Sequence, residues 1–313
     1  MIKICLIGAG RMSVEHIRVF NKIKNVNISA ISSRTKKKII QIKKNYPSIK
    51  MYTDINKMIN TENPDGIIIA VNENSLLDVC RKVFAFSQPL LIEKPIGYNL
   101  NQNQKILRLM NKYKKKNCYV ALNRRYFNST KNLLTNLSKD KGKKKIYIND
   151  QQYNLKKMYP HKANVILKNM MFANSVHLID YVDILSKGKI KNVKSSIKRE
   201  GKISNVLSNI NLSSGDAITY KALWNKDSKW SVSVFTKRFF YELKPLEELK
   251  ILNLKNLHIR KFPKNKLDTI YKPGFMLQAI DFIKMIKKKP HSLVDIKNNF
   301  NTTKLINKIY ENF

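Results

Sequence analysis

Residues 2–13, IKICLIGAGRMS, decide the fold that this chain can adopt. The first part, residues 2–7, is short and mostly apolar, which predicts a buried strand. A glycine turn follows at residues 8–13, and from Val14 onward apolar side chains recur three apart, which predicts a helix. A strand, a glycine turn and a helix in this order predict a cradle for a dinucleotide within an α/β domain.

The residues of this turn have separate expected roles in holding a cofactor. Gly8 permits the tight turn, and Gly10 has no side chain, so that a pyrophosphate can approach the backbone. The N–H groups that open the helix would face that anion together with the helix dipole, and Arg11 and Met12 are expected to contact the cofactor. Ser13 stands where glycine or alanine is usual, but it is small enough to let the helix pack on the strand. A purely structural strand-to-helix turn is the alternative.

Three later motifs stand in a fixed order along the chain: Glu93-Lys94-Pro95, then residues 123–126 (NRRY), then residues 177–180 (HLID). Together with GAGRMS they occur in the order, and at about the spacing, of the family of glucose-fructose oxidoreductase and inositol dehydrogenase. The chain therefore resembles this Gfo/Idh/MocA family. The resemblance implies NAD or NADP as cofactor and hydride transfer to or from an alcohol carbon of a sugar-like substrate.

The first half of the chain alternates strand and helix without hairpin signals, which predicts a doubly wound parallel sheet, a Rossmann domain at residues 1–123. The predicted strands are 2–7, 26–31, 51–53, 66–71, 90–92 and 118–122, with helices between them.

The second half has a different hydrophobic pattern and is predicted to be an α+β domain at residues 124–313. Consecutive alternating runs predict an open, mostly antiparallel sheet, with strands at 145–153, 193–198, 205–212, 217–224, 230–236 and 239–243. Helices are predicted at 128–138, 170–185, 275–287 and 294–310. The resemblance implies that the last two helices return to cover the nucleotide domain and that copies of the chain associate through the open sheet.

The end of the second predicted strand bears on the choice between NAD and NADP. An NAD site places an acidic residue here to hold the ribose hydroxyls, but the sequence is Ser32-Ser33-Arg34-Thr35. Ser33 and Arg34 suit a 2′-phosphate or the adenine face, which favours NADP(H) over NAD(H). The alternative is that they only begin the solvated helix that follows.

Val71, Asn72 and Asn74 follow the fully apolar fourth strand and are expected beside the cofactor. The resemblance implies that an asparagine here contacts the nicotinamide ribose, and helix capping is the alternative. Lys94 ends the fifth strand, where open α/β sheets bind ligands. Its ammonium can stabilise alkoxide character on the substrate oxygen, and Glu93 can orient that ammonium or the nicotinamide ribose. A solvated loop lysine is the alternative.

The helix predicted at 170–185 carries the second catalytic candidate, His177. The resemblance places this helix beneath the nicotinamide, and a histidine suits proton transfer near neutral pH. The family's relay acid usually stands four residues earlier, where this chain has Ala173. Asn174 or Asp180 could assist instead. The alternative is a structural histidine with Asp180 as its partner.

Further substrate contacts are expected from Asn123 and Arg124. Arg124 or Arg125 could meet a phosphate or carboxylate, and an interdomain ion pair is the alternative. Tyr159 and His161 could also reach substrate, although a structural role is favoured for both.

The bulk composition excludes several classes of protein. The net charge of +40 favours polyanions, but the lysine runs are spread through the chain without interleaved aromatic residues, so no specific nucleic-acid binding is predicted. No apolar run is long enough for a membrane helix, and the first strand leaves no room for a signal peptide. The three cysteines have neither metal-site nor disulfide spacing, so no metal is predicted and a cytoplasmic location is expected.

The sequence therefore predicts an NAD(P)-dependent oxidoreductase acting on a secondary alcohol or ketone carbon of a sugar, cyclitol or nucleotide-linked sugar. A non-catalytic NAD(P)- or sugar-binding sensor or scaffold of the same fold is the alternative, and Ala173 is the residue that supports it.

Overall fold

The computed structural model describes residues 1–140, 142–152, 163–200, 202–224 and 229–311. The chain divides into two compact units, residues 1–123 with 270–300 and residues 124–269 with 301–313. Within the described ranges, no helix combines the length and apolar character that a membrane span requires.

The strands are β1 (Ile2–Ile7), β2 (Val26–Ser32), β3 (Lys50–Tyr52), β4 (Gly66–Ile69), β5 (Leu90–Glu93), β6 (Cys118–Ala121), β7 (Lys145–Gln152), β8 (Ile190–Glu200), β9 (Lys202–Leu212), β10 (Ala217–Trp224), β11 (Ser231–Phe235), β12 (Phe239–Leu243), β13 (Leu249–Asn253), β14 (Ile259–Phe262) and β15 (Val294–Asp295). The α-helices are α1 (Arg11–Phe20), α2 (Lys36–Asn45), α3 (Ile55–Glu62), α4 (Leu76–Val83), α5 (Leu100–Lys112), α6 (Asn128–Leu137), α7 (Asn164–Lys168), α8 (Val176–Leu185), α9 (Lys266–Ile270), α10 (Phe275–Ile286) and α11 (Ile296–Ile309).

The first unit is built on a sheet of order β15-β6-β5-β4-β1-β2-β3, in which β1 to β6 are all parallel. This confirms the predicted doubly wound α/β fold. The residues of β4 are buried on both sides, as the continuous apolar run indicated. The carboxyl ends of β1, β2, β4 and β5 lie along one edge of this sheet, which is where the fold places a ligand.

Two helix boundaries in the first unit differ from the prediction. The first helix begins at Arg11 rather than Val14, because Gly10 already serves as its N-cap. The predicted last helix does not begin at Val294: Val294 and Asp295 pair antiparallel with β6, and α11 starts only at Ile296. Pairing with a sheet edge overrode a local pattern that continues the helix.

The second unit contains a sheet of order β14-β13-β12-β11-β7-β10-β9-β8, in which only the described pair β7–β10 is parallel. This confirms the predicted open, mostly antiparallel sheet. β13 and β14 were not predicted; β14 (IRKF) gives little signal because it is short, basic and mostly exposed at the sheet edge. The predicted strand 145–153 runs to Gln152, and Tyr153 lies outside the described residues.

Candidate cofactor site and catalytic residues

The glycine turn between β1 and α1 forms the first wall of the candidate site. Gly8 has a φ of +109°, and a Cβ built on it would overlap the carbonyl group of Ala70, so no other residue fits this position without strain. A Cβ built on Gly10 would meet no heavy atom within 4 Å. The space in front of the first turn of α1 is therefore open, which fits a pyrophosphate approaching this backbone.

A cleft of about 380 Å³ extends from this turn along the carboxyl ends of β2 and β4. It brings together six residues predicted to bind the cofactor, namely Gly8, Gly10, Ser33, Arg34, Val71 and Asn72. Arg11, Met12, Asn74, Glu93 and Lys94 do not line this cleft, and their cofactor contacts stay predictions. Asn72 precedes the 3₁₀ turn Glu73–Ser75 without a side-chain capping hydrogen bond. This favours a cofactor role for Asn72 over the capping alternative.

Sequence reasoning missed several residues of the cleft, including four on α4 and at its start. Ser75, Asp78, Val79 and Lys82 recur three or four residues apart and all face the cleft. That helical spacing was the available signal, because it continues directly from Asn72. Lys38, in the first turn of α2, also lines the cleft.

The charged groups at the far end of the cleft are mostly basic. Arg34 Nη2 donates a hydrogen bond of 3.0 Å to Ser75 Oγ, which fixes the guanidinium across the cleft. Lys38 and Lys82 stand nearby, and the acidic Asp78 forms an ion pair with Arg81. A ligand with additional negative charge is thereby favoured at this end.

Glu93 ends β5 and has a partner that the sequence did not suggest. Its Oε1 lies 2.9 Å from Nε2 of His16, a buried residue of α1 whose ring packs 4.9 Å from that of Phe275. The two residues are 77 positions apart, so no local pattern connects them. Lys94 is half-buried, and the Lys94–Pro95 peptide bond is cis, as the sequence allowed.

His177 lies in the first turn of α8, directly after the π-helical turn Met171–Ser175. The imidazole is buried, and its ring centroid is 6.3 Å from that of Trp230. Ala173, in the relay-acid position, is buried within the π turn. Such turns inside helices are frequently found at functional sites.

Asp180, one turn after His177, is held by an ion pair within the second unit. Arg125 donates two hydrogen bonds of 2.7 Å to its carboxylate and one of 2.7 Å to Asp183, and Thr302 adds a contact of 3.4 Å. Burial opposes the charge on Arg125, but the two carboxylates outweigh it and raise the pKa of the guanidinium. This arrangement favours a structural role for Asp180, and it makes the Arg125 ion pair an internal one rather than the interdomain pair considered above.

The remaining predicted residues differ in their surroundings. Asn123 is buried, and its Nδ2 donates a 2.9 Å hydrogen bond to the Pro273 carbonyl, which favours a structural role. The Arg124 guanidinium lies over the ring of Trp230. Asn174 is half-buried in the π turn. Tyr159 and His161 lie outside the described residues.

Comparison with known proteins agrees with this geometry. The sequence model of an oxidoreductase family with an NAD-binding Rossmann fold, GFO_IDH_MocA, matches residues 2–122. The chain is 30% identical over 109 residues to the rhizopine catabolism protein MocA of Rhizobium meliloti, covering 35% of this chain and 34% of that protein. It is 27% identical over 126 residues to an inositol 2-dehydrogenase of Corynebacterium glutamicum (strain R), covering 40% and 37%.

The crystal structure of a Gfo/Idh/MocA family oxidoreductase from Vibrio cholerae has the same fold, with a TM-score of 0.81 at 14% identity over 100% of this chain and 98% of that one. The sequence matches to MocA and the inositol dehydrogenase span only about a third of those proteins' length. Residues 2–122 are therefore similar to the NAD-binding Rossmann domain of the Gfo/Idh/MocA oxidoreductase family.

Proposed function

We propose that this protein is an NAD(P)-dependent oxidoreductase that transfers a hydride between nicotinamide and a secondary alcohol or ketone carbon of a sugar, cyclitol or nucleotide-linked sugar. The observation that carries the proposal is the open, backbone-lined space in front of Gly10, beside a cleft at the carboxyl edge of the parallel sheet. Similarity to an inositol 2-dehydrogenase supports the substrate class.

The first unit would hold the cofactor mainly through its backbone. The turn at Gly8 and Gly10, with the N–H groups of Arg11 and Met12, would bind the pyrophosphate. Val71, Asn72, Asn74 and the carboxylate of Glu93 would border the nicotinamide end, with Glu93 held in place by His16. When bound, the nicotinamide supplies or accepts the hydride.

Two side chains would carry the protein's part of the chemistry. The Lys94 ammonium would donate a hydrogen bond to the substrate oxygen and stabilise the negative charge that develops there. The His177 imidazole would accept the hydroxyl proton during oxidation and return it during reduction. Asn123, Arg124, Asn174 and Asp180 were predicted to contact substrate, and the surroundings of Arg124 support that role best.

NADP(H) is the proposed preference. The end of β2 offers Ser33 and Arg34 in place of the acidic residue of an NAD site, and Lys38 and Lys82 add positive charge to the same cleft. A 2′-phosphate would meet three basic side chains there. Arg34→Ala should therefore weaken NADPH binding much more than NADH binding.

Titration of the protein with NADPH and NADH, followed by nicotinamide fluorescence, tests the first step. We expect both to bind and NADPH to bind more tightly, and absence of binding by either would remove the proposal. Reduction of NADP⁺ over a panel of sugars, cyclitols and nucleotide-linked sugars tests the second step. Lys94→Ala should lower kcat, because it removes the ammonium that stabilises charge on the substrate oxygen.

The second candidate function is a non-catalytic sensor or scaffold that binds NAD(P) or a sugar. Ala173 favours it, because a buried methyl group in the relay position cannot transfer a proton. Cofactor binding without turnover on the whole panel would support the sensor. Turnover that is lost in His177→Ala would support the enzyme.

We also infer that copies of this chain associate through the open face of the second sheet. Tyr147, Leu207 and Phe235 lie on one face of it and are each about two-fifths exposed. Light scattering should give a mass above that of one chain, and Leu207→Glu should reduce it.

A further inference from the structure

The second unit contains a small pocket that the proposed chemistry does not yet use. It encloses about 220 Å³ and is lined by Arg124, Phe127, Lys229, Trp230 and the segment 245–247, which ends in Glu247. We call it the Trp230 pocket. All of its lining residues belong to the second unit.

Trp230 forms a fixed wall of this pocket. Its Nε1 donates a 2.9 Å hydrogen bond to the Gln151 carbonyl, which determines the orientation of the indole. The ring centroid lies 6.3 Å from that of His177, so one wall of the pocket is close to the proposed proton acceptor. A large, rigid and amphipathic side chain in such a place is suited to contact the carbon skeleton of a ligand.

Arg124 brings a cation to the same wall. Its Cζ lies 4.7 Å from the centroid of the Trp230 ring and 5.9 Å from that of Phe127. Stacking of this kind fixes the plane of the guanidinium and so preorganises its fork of N–H donors. Such a fork matches the geometry of a carboxylate or phosphate.

The charges around the pocket favour an anion. Arg124 and Lys229 are basic, whereas Glu247 is acidic, so the cations outnumber the acid. Apolar walls from Trp230 and Phe127 lower the local polarity and strengthen a charge-assisted hydrogen bond formed there. A neutral hydroxyl would gain much less from the same groups.

We propose that the Trp230 pocket binds an acidic substituent, a carboxylate or a phosphate, of the polyol substrate. The carbon skeleton lies against Trp230, and the acid is held by Arg124 and Lys229. The proposal rests on the proposed function and narrows it to acidic sugars or sugar phosphates, with Trp230 and Lys229 as specificity-determining residues.

Intrinsic fluorescence offers a direct test, because the chain has two tryptophans, Trp224 and Trp230. The full-length protein is titrated with glucose 6-phosphate, glucuronate and glucose, and with inorganic phosphate and acetate. We expect the acidic probes to change the emission at roughly tenfold lower concentration than glucose. A response confined to the phosphates or to the carboxylates identifies which acid is bound. Equal responses to all probes, or none in the millimolar range, would overturn the proposal.

Substitutions distinguish binding in the Trp230 pocket from nonspecific attraction of anions to this basic protein. Lys229→Ala should weaken binding of the acidic probes several-fold, whereas Lys237→Ala, which removes an exposed lysine outside the pocket, should not. Glu247→Gln should tighten binding, because it removes the only acid among the described residues that line this pocket. Equal losses in the two lysine variants would indicate nonspecific attraction and contradict the proposal.

A parallel NADPH titration distinguishes this proposal from the proposed function. Cofactor binding without discrimination between acidic and neutral probes would overturn the substrate class alone. If the protein distinguishes acidic from neutral probes but binds neither NADPH nor NADH, the oxidoreductase proposal would be overturned. The proposal that the Trp230 pocket binds an acidic group would still stand.

Discussion

The glycine turn of the first unit and the His177 helix of the second offer a ligand different groups: the turn offers backbone, and the helix offers side chains. The turn presents backbone, and its two essential positions, Gly8 and Gly10, contribute the absence of a side chain. The helix presents side chains, which depend on distant partners such as Trp230 for their setting. A backbone site is therefore encoded in a short run of sequence, whereas a side-chain site is encoded in its tertiary contacts.

The largest effect is expected on turnover, when the proposed proton acceptor His177 is replaced. His177→Ala should lower kcat about 10²- to 10⁴-fold, because general acid–base transfer contributes a factor of this size. NADPH affinity should stay unchanged, because the proposed cofactor contacts are in the other unit. Steady-state kinetics and a fluorescence titration measure the two quantities. His258→Ala, an exposed histidine, is the control, and unchanged turnover in His177→Ala would refute the catalytic role.

The next largest effect concerns the ion pair between Arg125 and Asp180, which lies one helical turn after His177. Arg125→Ala leaves the Asp180 carboxylate, which is 2% exposed, without its bidentate partner. Breaking a buried pair on one side costs about 3 to 5 kcal/mol, and we expect a loss of this order in the free energy of unfolding. Urea denaturation measures it. Arg238→Ala removes an exposed arginine of the same unit and should change little; a comparable loss there would show that the ion pair is not the cause.

The glycine turn could be predicted from the sequence better than the surroundings of His177, because its signals are local. The parallel strands and the turn at residues 8–13 were predicted because their signals are local periodicity and glycine spacing. The contact between His16 and Glu93 was not, because it joins residues far apart in the chain. Trp230 was predicted only as the first residue of the strand 230–236, since a lone aromatic residue does not indicate whether it enters a core or lines a pocket.

The π turn at Met171–Ser175 shows the same limit. The apolar pattern of residues 170–185 predicted one continuous helix, and the helical character was right. A widened turn needs one extra residue in the hydrogen-bond ladder, and its stabilisation comes from packing rather than from propensity. Periodicity alone does not reveal it.

A matched pair of substitutions tests the backbone character of the first region. Gly8→Ala should destabilise the protein by about 1 to 3 kcal/mol, because its φ of +109° and the carbonyl of Ala70 leave no place for a methyl group. Gly10→Ala should leave stability nearly unchanged and weaken NADPH binding, since its methyl group would point into open space. Urea denaturation measures the free energy of unfolding of each variant, and cofactor titration measures its affinity for NADPH. Equal stability losses would contradict the separate roles.

The smallest effect is expected from a hydrogen-bond network in the second region. Tyr220 donates a 2.7 Å hydrogen bond to Asp150 and lies 2.9 Å from the hydroxyl of Tyr310, which also bonds Ser175 at the end of the π turn. Burial and the nearby Asp150 carboxylate raise the pKa of Tyr220 well above its ordinary value, so this phenol stays protonated at neutral pH. Tyr220→Phe removes that donor from a buried carboxylate and should cost about 1 to 2 kcal/mol in the free energy of unfolding. Tyr147→Phe, which removes an exposed hydroxyl from the same sheet, is the matched control in urea denaturation. If the two variants unfold at the same urea concentration, the hydrogen bond from Tyr220 does not stabilise the second unit. The dependence of the side-chain site on tertiary contacts would then be supported by His177 and its neighbours alone.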